Sequence, residues 1–448
     1  MKKLALVLLE SRDTRYSIRA IAAAVEHRST GIHLFIEKLD NINENIQLVQ
    51  NLIEKDYRVL LGITLMTTML PELLRGKFFE KLQLLRRSSK GKLLLIAGGP
   101  HPSGDPYGTL TSLGFDIAFI GESEDSLNEV IDTLKQKWSL ESLLDIKGLA
   151  IKLDNRICFT GRRRKFVDLN AYPPFPYWRR LFSPIEITRG CPWLCKYCET
   201  WFMHGVCERH RRVDVILRYV KILLEHGLRD IRFISPNSFG YGELRPGKPN
   251  IEALQELVEG LYKLTRRYGG RFFLGSFPSE VRPEYVVEEI LEIVKGKIAN
   301  KNLIIGAQTG SEKLLRYIHR THTVDDIVNA AQLAIKYGYK PDIDFIFGLP
   351  GEDVEDILET IKLIEKLISI GARIHAHTFL PLPGTPFENA PPGRIHPLVL
   401  KLLGKYLGAG KVHGYWFRQE KLAKELYMLR KNGVIWGLQG WKLMEFSC

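Results

Sequence analysis

The chain has 448 residues, with 64 Lys and Arg against 51 Asp and Glu, a formal net charge of +13 and a pI near 9.3. That length accommodates two or three domains with apolar cores of their own, and a positive charge spread along the chain suits either an acidic partner such as nucleic acid or a thermophile's Lys/Arg-rich surface. No run reaches the ~18–20 apolar residues of a bilayer-spanning helix, and six cysteines, three of them between 191 and 198, exclude a secreted disulfide framework.

Met1-Lys2-Lys3 followed by apolar residues 4–9 imitates a secretory leader, but charged Glu10-Ser11-Arg12-Asp13 ends the run too early. The segment reads as a first strand, and the expected compartment is the reducing cytoplasm. Short apolar runs at 3–9, 32–37, 59–64, 93–97 and 116–120 then alternate with helical periodicity at 16–27, 44–55, 71–87, 104–113 and 123–135. This predicts a Rossmann-like, doubly wound parallel sheet over 1–147, with ligands at the carboxyl ends of its strands. That rim holds 10–14, 64–68, 98–105 and Gly121-Glu122. Its most distinctive turn is Gly98-Gly99-Pro100-His101-Pro102, where glycine lets the backbone approach a ligand.

Residues 148–184 change texture. Runs at 149–153 and 157–160 flank Asp154-Asn155 as a hairpin, and basic Arg162-Arg163-Arg164-Lys165 and proline-rich Tyr172-Pro173-Pro174-Phe175-Pro176 follow, so the stretch reads as a linker. Over 185–388 a second series places strands at 185–189, 231–235, 272–276, 303–307, 342–347 and 373–380, between helices at 213–226, 251–268, 283–294, 323–337 and 354–370. Six such units predict a partial (β/α)6 barrel of the TIM type, whose working face is the carboxyl end of its strands. Residues 389–448 form a basic, mostly helical extension.

Just after the first barrel strand comes Arg189-Gly190-Cys191-Pro192-Trp193-Leu194-Cys195-Lys196-Tyr197-Cys198. Thiolates are soft ligands for zinc and iron–sulfur clusters. Three from one tight loop can hold three irons of a cubane and leave the fourth open, whereas structural zinc needs a fourth ligand, for which Cys207 and His204 stand nearby in sequence. Spacing and position favour the cluster. Cys158 and Cys207 read as packing residues, and Cys448 as a frayed end or a folded-back ligand.

With an aromatic, Tyr197, before its last cysteine, this loop resembles the signature of the radical S-adenosylmethionine superfamily. The resemblance implies a [4Fe-4S] cluster on Cys191, Cys195 and Cys198, S-adenosylmethionine chelated to the open iron, its reductive cleavage to a 5′-deoxyadenosyl radical, and an electron donor such as ferredoxin or flavodoxin. Four further stretches, each at a strand end, are similar to the methylthiotransferase and cobalamin-binding branches: residues 235–242, 306–311, 344–352 and Pro383-Gly384-Thr385-Pro386. On that resemblance Tyr197, Asn237, Ser276, Gln308 and Ser311 are cofactor-binding candidates, Arg320 pairs the methionine carboxylate, and the backbone at Phe347 and Gly348 suits the adenine. The local alternative for the polar residues is a turn or cap, since Ser311-Glu312 also reads as a helix start.

Residues 1–147 contain no cysteine, a departure from methylthiotransferases, whose N-terminal domain carries three more. This domain resembles instead the cobalamin-binding Rossmann-like domain, with Gly98, Gly99, Pro100, His101, Gly121 and Glu122 as its rim. The Asp-x-His-x-x-Gly motif of that family is missing: Asp13-Thr14-Arg15-Tyr16 lacks the histidine, and His101 between prolines reads as structural. Any cobalamin here would lack that lower ligand to cobalt, and the domain reads equally as a scaffold for another nucleotide or for substrate. The expected function is a radical enzyme without a membrane partner, with cobalamin-dependent methyl transfer to an unactivated carbon as the leading reaction. One alternative is an RNA-modifying enzyme without cobalamin, motivated by Arg162 to Lys165, Arg209-His210-Arg211-Arg212, and by Tyr415, Trp416 and Trp436 as stacking platforms. The other is a non-enzymatic metal-binding protein.

Overall fold

The computed structural model describes residues 3–28, 31–154 and 156–446; Cys448 and Asn155 lie outside them. Its strands are β1 Lys3–Glu10, β2 His33–Lys38, β3 Tyr57–Thr64, β4 Leu93–Gly98, β5 Ile117–Phe119, β6 Leu149–Leu153, β7 Arg156–Phe159, β8 Ile185–Glu186, β9 Thr188–Arg189, β10 Arg209–His210, β11 Asp230–Ile231, β12 Phe233–Ile234, β13 Arg271–Phe272, β14 Asn302–Gln308, β15 Lys340–Phe347, β16 Arg373–Thr378, β17 Val412–His413 and β18 Glu445–Phe446.

The first sheet shows why β1 is apolar at nearly every position. Ala5, Val7 and Leu9 enter one core and Leu4, Leu6 and Leu8 the other, because helices cover both faces. Strand order is β2-β1-β3-β4-β5-β6-β7-β18, parallel through β5. The hairpin at 149–160 is not a linker: β6 pairs antiparallel with β5 and β7 with β6, so it extends the sheet. The helix predicted over 71–87 is two, Leu70–Arg75 and Phe78–Ser88, broken at Gly76 and at Lys77 with φ +53°.

The barrel strands follow in the expected order, but the first three units are split into short pairs, β8 with β12 and β11 with β13. A bridge from Val281 to Ile305 joins the third unit to the fourth, and β14-β15-β16-β17 then run as one parallel ladder. Period-two alternation sorts this ladder. Ile343, Phe345, Phe347, Ile374, Ala376 and Val412 pack beneath the helices, so Asp342, Asp344, His375, His377 and His413 occupy the opposite face, inside the barrel.

The C-terminal extension belongs to both halves. It supplies β17 to the barrel, and Trp416 is buried in the barrel core. The chain then crosses back: the Trp436 and Gly437 N–H groups each donate to the Asp105 carboxylate at 3.0 Å, Trp441 Nε1 donates to the Gly104 carbonyl at 3.2 Å, and β18 pairs parallel with β7. Two of the three expected stacking platforms are therefore engaged: Trp416 is core, and Trp436 packs edge-on to Tyr107 with Nε1 3.3 Å from Ser112 Oγ. Tyr415 is exposed. Among the described residues no helix is long and apolar enough to cross a membrane.

Candidate functional site

The cysteine loop is shaped by its backbone. Gly190 sits at φ +94°, and a Cβ there would lie 2.3 Å from the Cys207 carbonyl oxygen, so only glycine fits. Leu194 adopts φ +54°. Trp201 Nε1 donates to the Cys195 carbonyl at 3.1 Å, and the Lys196 N–H donates to the Ile318 carbonyl at 3.1 Å, which pins the loop to the barrel end. Cys195 Sγ is buried, 3.8 Å from the His319 carbonyl and 3.9 Å from Arg320 Nη1; Cys198 Sγ is 3.3 Å from Thr200 Oγ1. Burial pushes the Cys191 thiol up to about 12 and raises Cys198 as well, and neighbouring sulfurs add to both. A soft cation that displaces these protons is the natural occupant.

The donor set discriminates between occupants. One zinc ion holds sulfurs at edges of roughly 3.8 Å. Among the described residues the three His, Cys, Asp or Glu donors that converge within 4.8 Å are Asp344, His375 and His377, so at least one pair of the three thiols stands farther apart than that, beyond what one zinc ion spans. Neither sequence-proposed fourth ligand joins them: His204 Nδ1 lies 3.4 Å from Glu122 Oε1, and Cys207 is an exposed free thiol. A cluster on three sulfurs fits this loop. Cys158 is buried in the sheet core and is not among the free thiols.

The other sequence candidates divide into two groups. Asn237 is buried; its Oδ1 accepts from Arg282 N at 3.4 Å and its Nδ2 has no protein partner, nor do Ser276 Oγ and Arg320 Nε. Buried polar atoms normally find partners, so these orphans mark a place for a polar ligand. Arg320 also donates to the Gly306 carbonyl, and a bulge between Gly306 and Gln308, the latter at φ +76°, re-aims the strand end. The second group is committed to the fold. Ser311 caps helix Glu312–Tyr317 through Leu314 N and donates to Asp356 at 2.6 Å. Phe347 packs in the barrel core and its carbonyl accepts from Phe379 N, while the Gly348 N–H donates to Glu352 Oε2 at 2.9 Å. In the stretch expected at the adenine, the Phe347 carbonyl and the Gly348 N–H each have a protein partner.

A cavity of about 630 Å³ lies between the carboxyl edge of the first sheet and the cysteine loop. Gly98, Gly99, Pro100, Gly121 and Glu122 line one side, and Tyr197, Cys198, Glu199 and Thr200 the other. Gly99, at φ +101°, lets the wall close: a Cβ would meet Thr64 Cγ2 at 2.8 Å. His101 is absent from the lining. It is fully buried, with Nδ1 3.1 Å from Thr67 Oγ1, and burial pulls its imidazole down to about 3. Glu122 does line the cavity, but its carboxylate accepts from Val167 N at 2.9 Å and from Arg209, with Arg189 at 3.7 Å. Burial alone would raise it; the nearby His204, the bonds from Arg209 and the Arg189 charge outweigh that and bring it down to about 2.

Residues 185–364 match the family model of the radical SAM superfamily. This stretch is a radical SAM domain. Over 358 residues the chain is 26% identical to the uncharacterized protein MJ1620 of Methanocaldococcus jannaschii, covering 70% of this chain and 67% of that one. It is 29% identical over 230 residues to a tRNA-2-methylthio-N(6)-dimethylallyladenosine synthase of Pelobacter propionicus, 49% of each, so it spans about half the length of this tRNA-modifying relative. Its fold is that of the radical S-adenosylmethionine methyltransferase TsrM of Kitasatospora setae, solved with cobalamin and a [4Fe-4S] cluster (TM-score 0.66, 14% identity, 89% of this chain and 76% of that one), and of the cobalamin-dependent enzyme OxsB (0.65, 16%, 97% and 62%). These likenesses extend the shared fold beyond the radical SAM domain to the N-terminal sheet.

Several residues that belong to the site carried no legible sequence signal. Arg189, from the signature loop itself, is buried against Glu122, Glu124 and Glu186 and couples the radical SAM domain to the first sheet. Arg282 stacks over Trp193 at 4.0 Å. Glu199 lines the cavity with Oε1 unpartnered, and burial pushes it up to about 8. His375-x-His377 was readable only as alternation on a strand.

Proposed function

We propose that this chain is a radical S-adenosylmethionine methyltransferase that holds cobalamin between its first sheet and its cysteine loop and methylates an unactivated carbon. The observation that carries the reading is the cavity itself, which runs from the glycine rim to Cys198 and Thr200; His204 is in its lining, with Nδ1 3.4 Å from Glu122 Oε1. With the cluster, S-adenosylmethionine and cobalamin bound, the cofactors supply a hydrogen-abstracting radical and a transferable methyl group.

The protein's part is placement and exclusion. Cys191, Cys195 and Cys198 would hold the cluster, and Arg320, beside Cys195, would carry the positive charge that meets the methionine carboxylate. Asn237 and Ser276 offer unpaired polar atoms to the rest of the nucleoside. Gly99 and Gly121, both at positive φ, bring backbone rather than side chains to the cavity wall. Leu8, Ile18, Ile96, Phe119 and Leu127 make its far end apolar and keep water out.

The RNA reading loses residues rather than gaining them. Arg209 is spent on Glu122, and Arg211 is buried on the Leu169 and Tyr172 carbonyls. The test is anaerobic reconstitution with iron, sulfide and hydroxocobalamin, followed by desalting. Four irons and one cobalamin per chain, with reductive formation of 5′-deoxyadenosine or methyl transfer from S-adenosylmethionine, are expected. A protein that holds its cluster but releases all cobalamin overturns the methyltransferase reading.

A further inference from the structure

We infer that Asp344, His375 and His377 form a second metal site, inside the barrel, for a borderline divalent cation of the zinc class. The three sit on adjacent strands. Asp344 of β15 is the register partner of His375 of β16, and His377 lies two residues further along the same face. Asp344 Oδ1 is 2.9 Å from His375 Nδ1, His375 Nδ1 is 3.1 Å from His377 Nε2, and the third edge, Asp344 Oδ1 to His377 Nε2, is 3.7 Å. Ligands at ~2.0–2.1 Å from a common ion stand roughly 3.0–3.4 Å apart, and this triangle brackets that range. Two imidazoles and one carboxylate on one side of an ion leave its other positions open.

The protonation of the group argues the same way. The Thr378 N–H donates to Gln419 Oε1 at 3.0 Å, which turns the amide nitrogen toward His377 Nδ1 at 3.3 Å. A neutral His377 then carries its proton on Nε2, aimed at His375 Nδ1. That single nitrogen also faces the Asp344 carboxylate, and it cannot accept from His377 while donating to Asp344. A cation between the three atoms removes the conflict, at the expense of turning the Gln419 amide away from its Thr378 N–H bond.

The site is separate from the cysteine loop and is linked to it through β14. Gly306 is the register partner of Asp344, and the Gly306 carbonyl accepts from Arg320, which reaches Cys195. His375 and His377 are each more than a quarter exposed, so the group is accessible from outside the core. An ion here would bind an oxygen or nitrogen of the substrate and fix it against the cluster side.

The experiment uses untagged full-length protein in which Cys191, Cys195 and Cys198 are all replaced by Ala, so the result does not depend on the cluster. One zinc per chain is expected after dialysis, falling by roughly 100-fold in affinity in His377→Ala and in Asp344→Asn with unchanged circular dichroism. Cobalt(II) in its place is expected to show ligand-field bands without thiolate charge transfer. Should the alanine variant misfold, zinc-edge X-ray absorption of the reconstituted wild type decides, with imidazole and oxygen scattering expected. Retention of the metal in folded His377→Ala, sulfur scattering from the zinc, or no metal on the folded protein overturns the site.

Discussion

Glu122 offers the sharpest test of how the two halves are joined. Its carboxylate sits on the rim of the first sheet and accepts from Arg209 and from Val167 N, with His204 and Arg189 close by. The folded protein holds it at about 2 against an ordinary 4.5. A depressed carboxylate contributes stability that is complete above its unfolded value and is lost as pH falls through the folded one, so the window runs from about 4.5 down to about 2. At 1.36 kcal/mol for a tenfold change, the contribution is about 3 kcal/mol at pH 7, and about 1 kcal/mol is left near pH 3. Glu122→Gln keeps the size and an acceptor but removes the charge that offsets Arg189 and Arg209. Urea unfolding of cluster-free protein, followed by tryptophan fluorescence in anaerobic thiol buffer at several pH values, reads the difference between the two proteins, in which the other titrating groups cancel. The gap is expected to narrow steadily below pH 4.5. A gap that stays constant across that range, or none at pH 7, would refute the charge argument.

Cys195→Ala is expected to lower iron to background after reconstitution and to abolish 5′-deoxyadenosine formation, both measured on the same sample. Gly99→Ala introduces a Cβ 2.8 Å from Thr64 Cγ2 at a backbone φ of +101°, so retained cobalamin should fall several-fold while iron content holds; equal loss of both would point to general unfolding. His101→Gln should leave the spectrum of bound cobalamin unchanged, because the imidazole faces Thr67 behind the cavity wall, and a shifted cobalt spectrum would contradict that placement. Arg320→Gln removes the cation beside Cys195 and is expected to weaken S-adenosylmethionine binding about tenfold or more by equilibrium dialysis, with the cluster still formed.

The sequence made the two βα series and the cysteine loop legible for a physical reason: alternating apolar runs and thiolate spacing are local. β1 needs apolar residues on both faces because helices cover both, and that requirement is written into residues 4–9. What escaped was settled by distant partners. The hairpin at 149–160 carries ordinary strand residues, and only its pairing with β5 makes it part of the sheet. Trp416 and Trp436 read as free aromatics until the extension was seen to fold back. Ser311 and Gly348 stand in family-like stretches, yet Asp356 and Glu352 take up their polar groups. Arg189 and Glu122 are far apart in sequence, so their pairing carries no local trace. Asp344 and His375 face each other only through the register of two strands.

The return of the C-terminal strap has a consequence for the order of assembly. Arg156 Nη1 meets Glu445 Oε2 at 3.3 Å across 289 residues of sequence, and β18 covers the edge that β7 would otherwise leave open. During vectorial synthesis that edge stays unpaired until after the whole barrel has emerged, so the nascent first sheet exposes a template for wrong partners for most of its translation. The same delay leaves the two halves without the strap's bridge until it docks. Closure of the strap therefore follows formation of the barrel, and a chain shortened before Trp436 would be expected to leave Asp105 without these donors and the β7 edge unpaired.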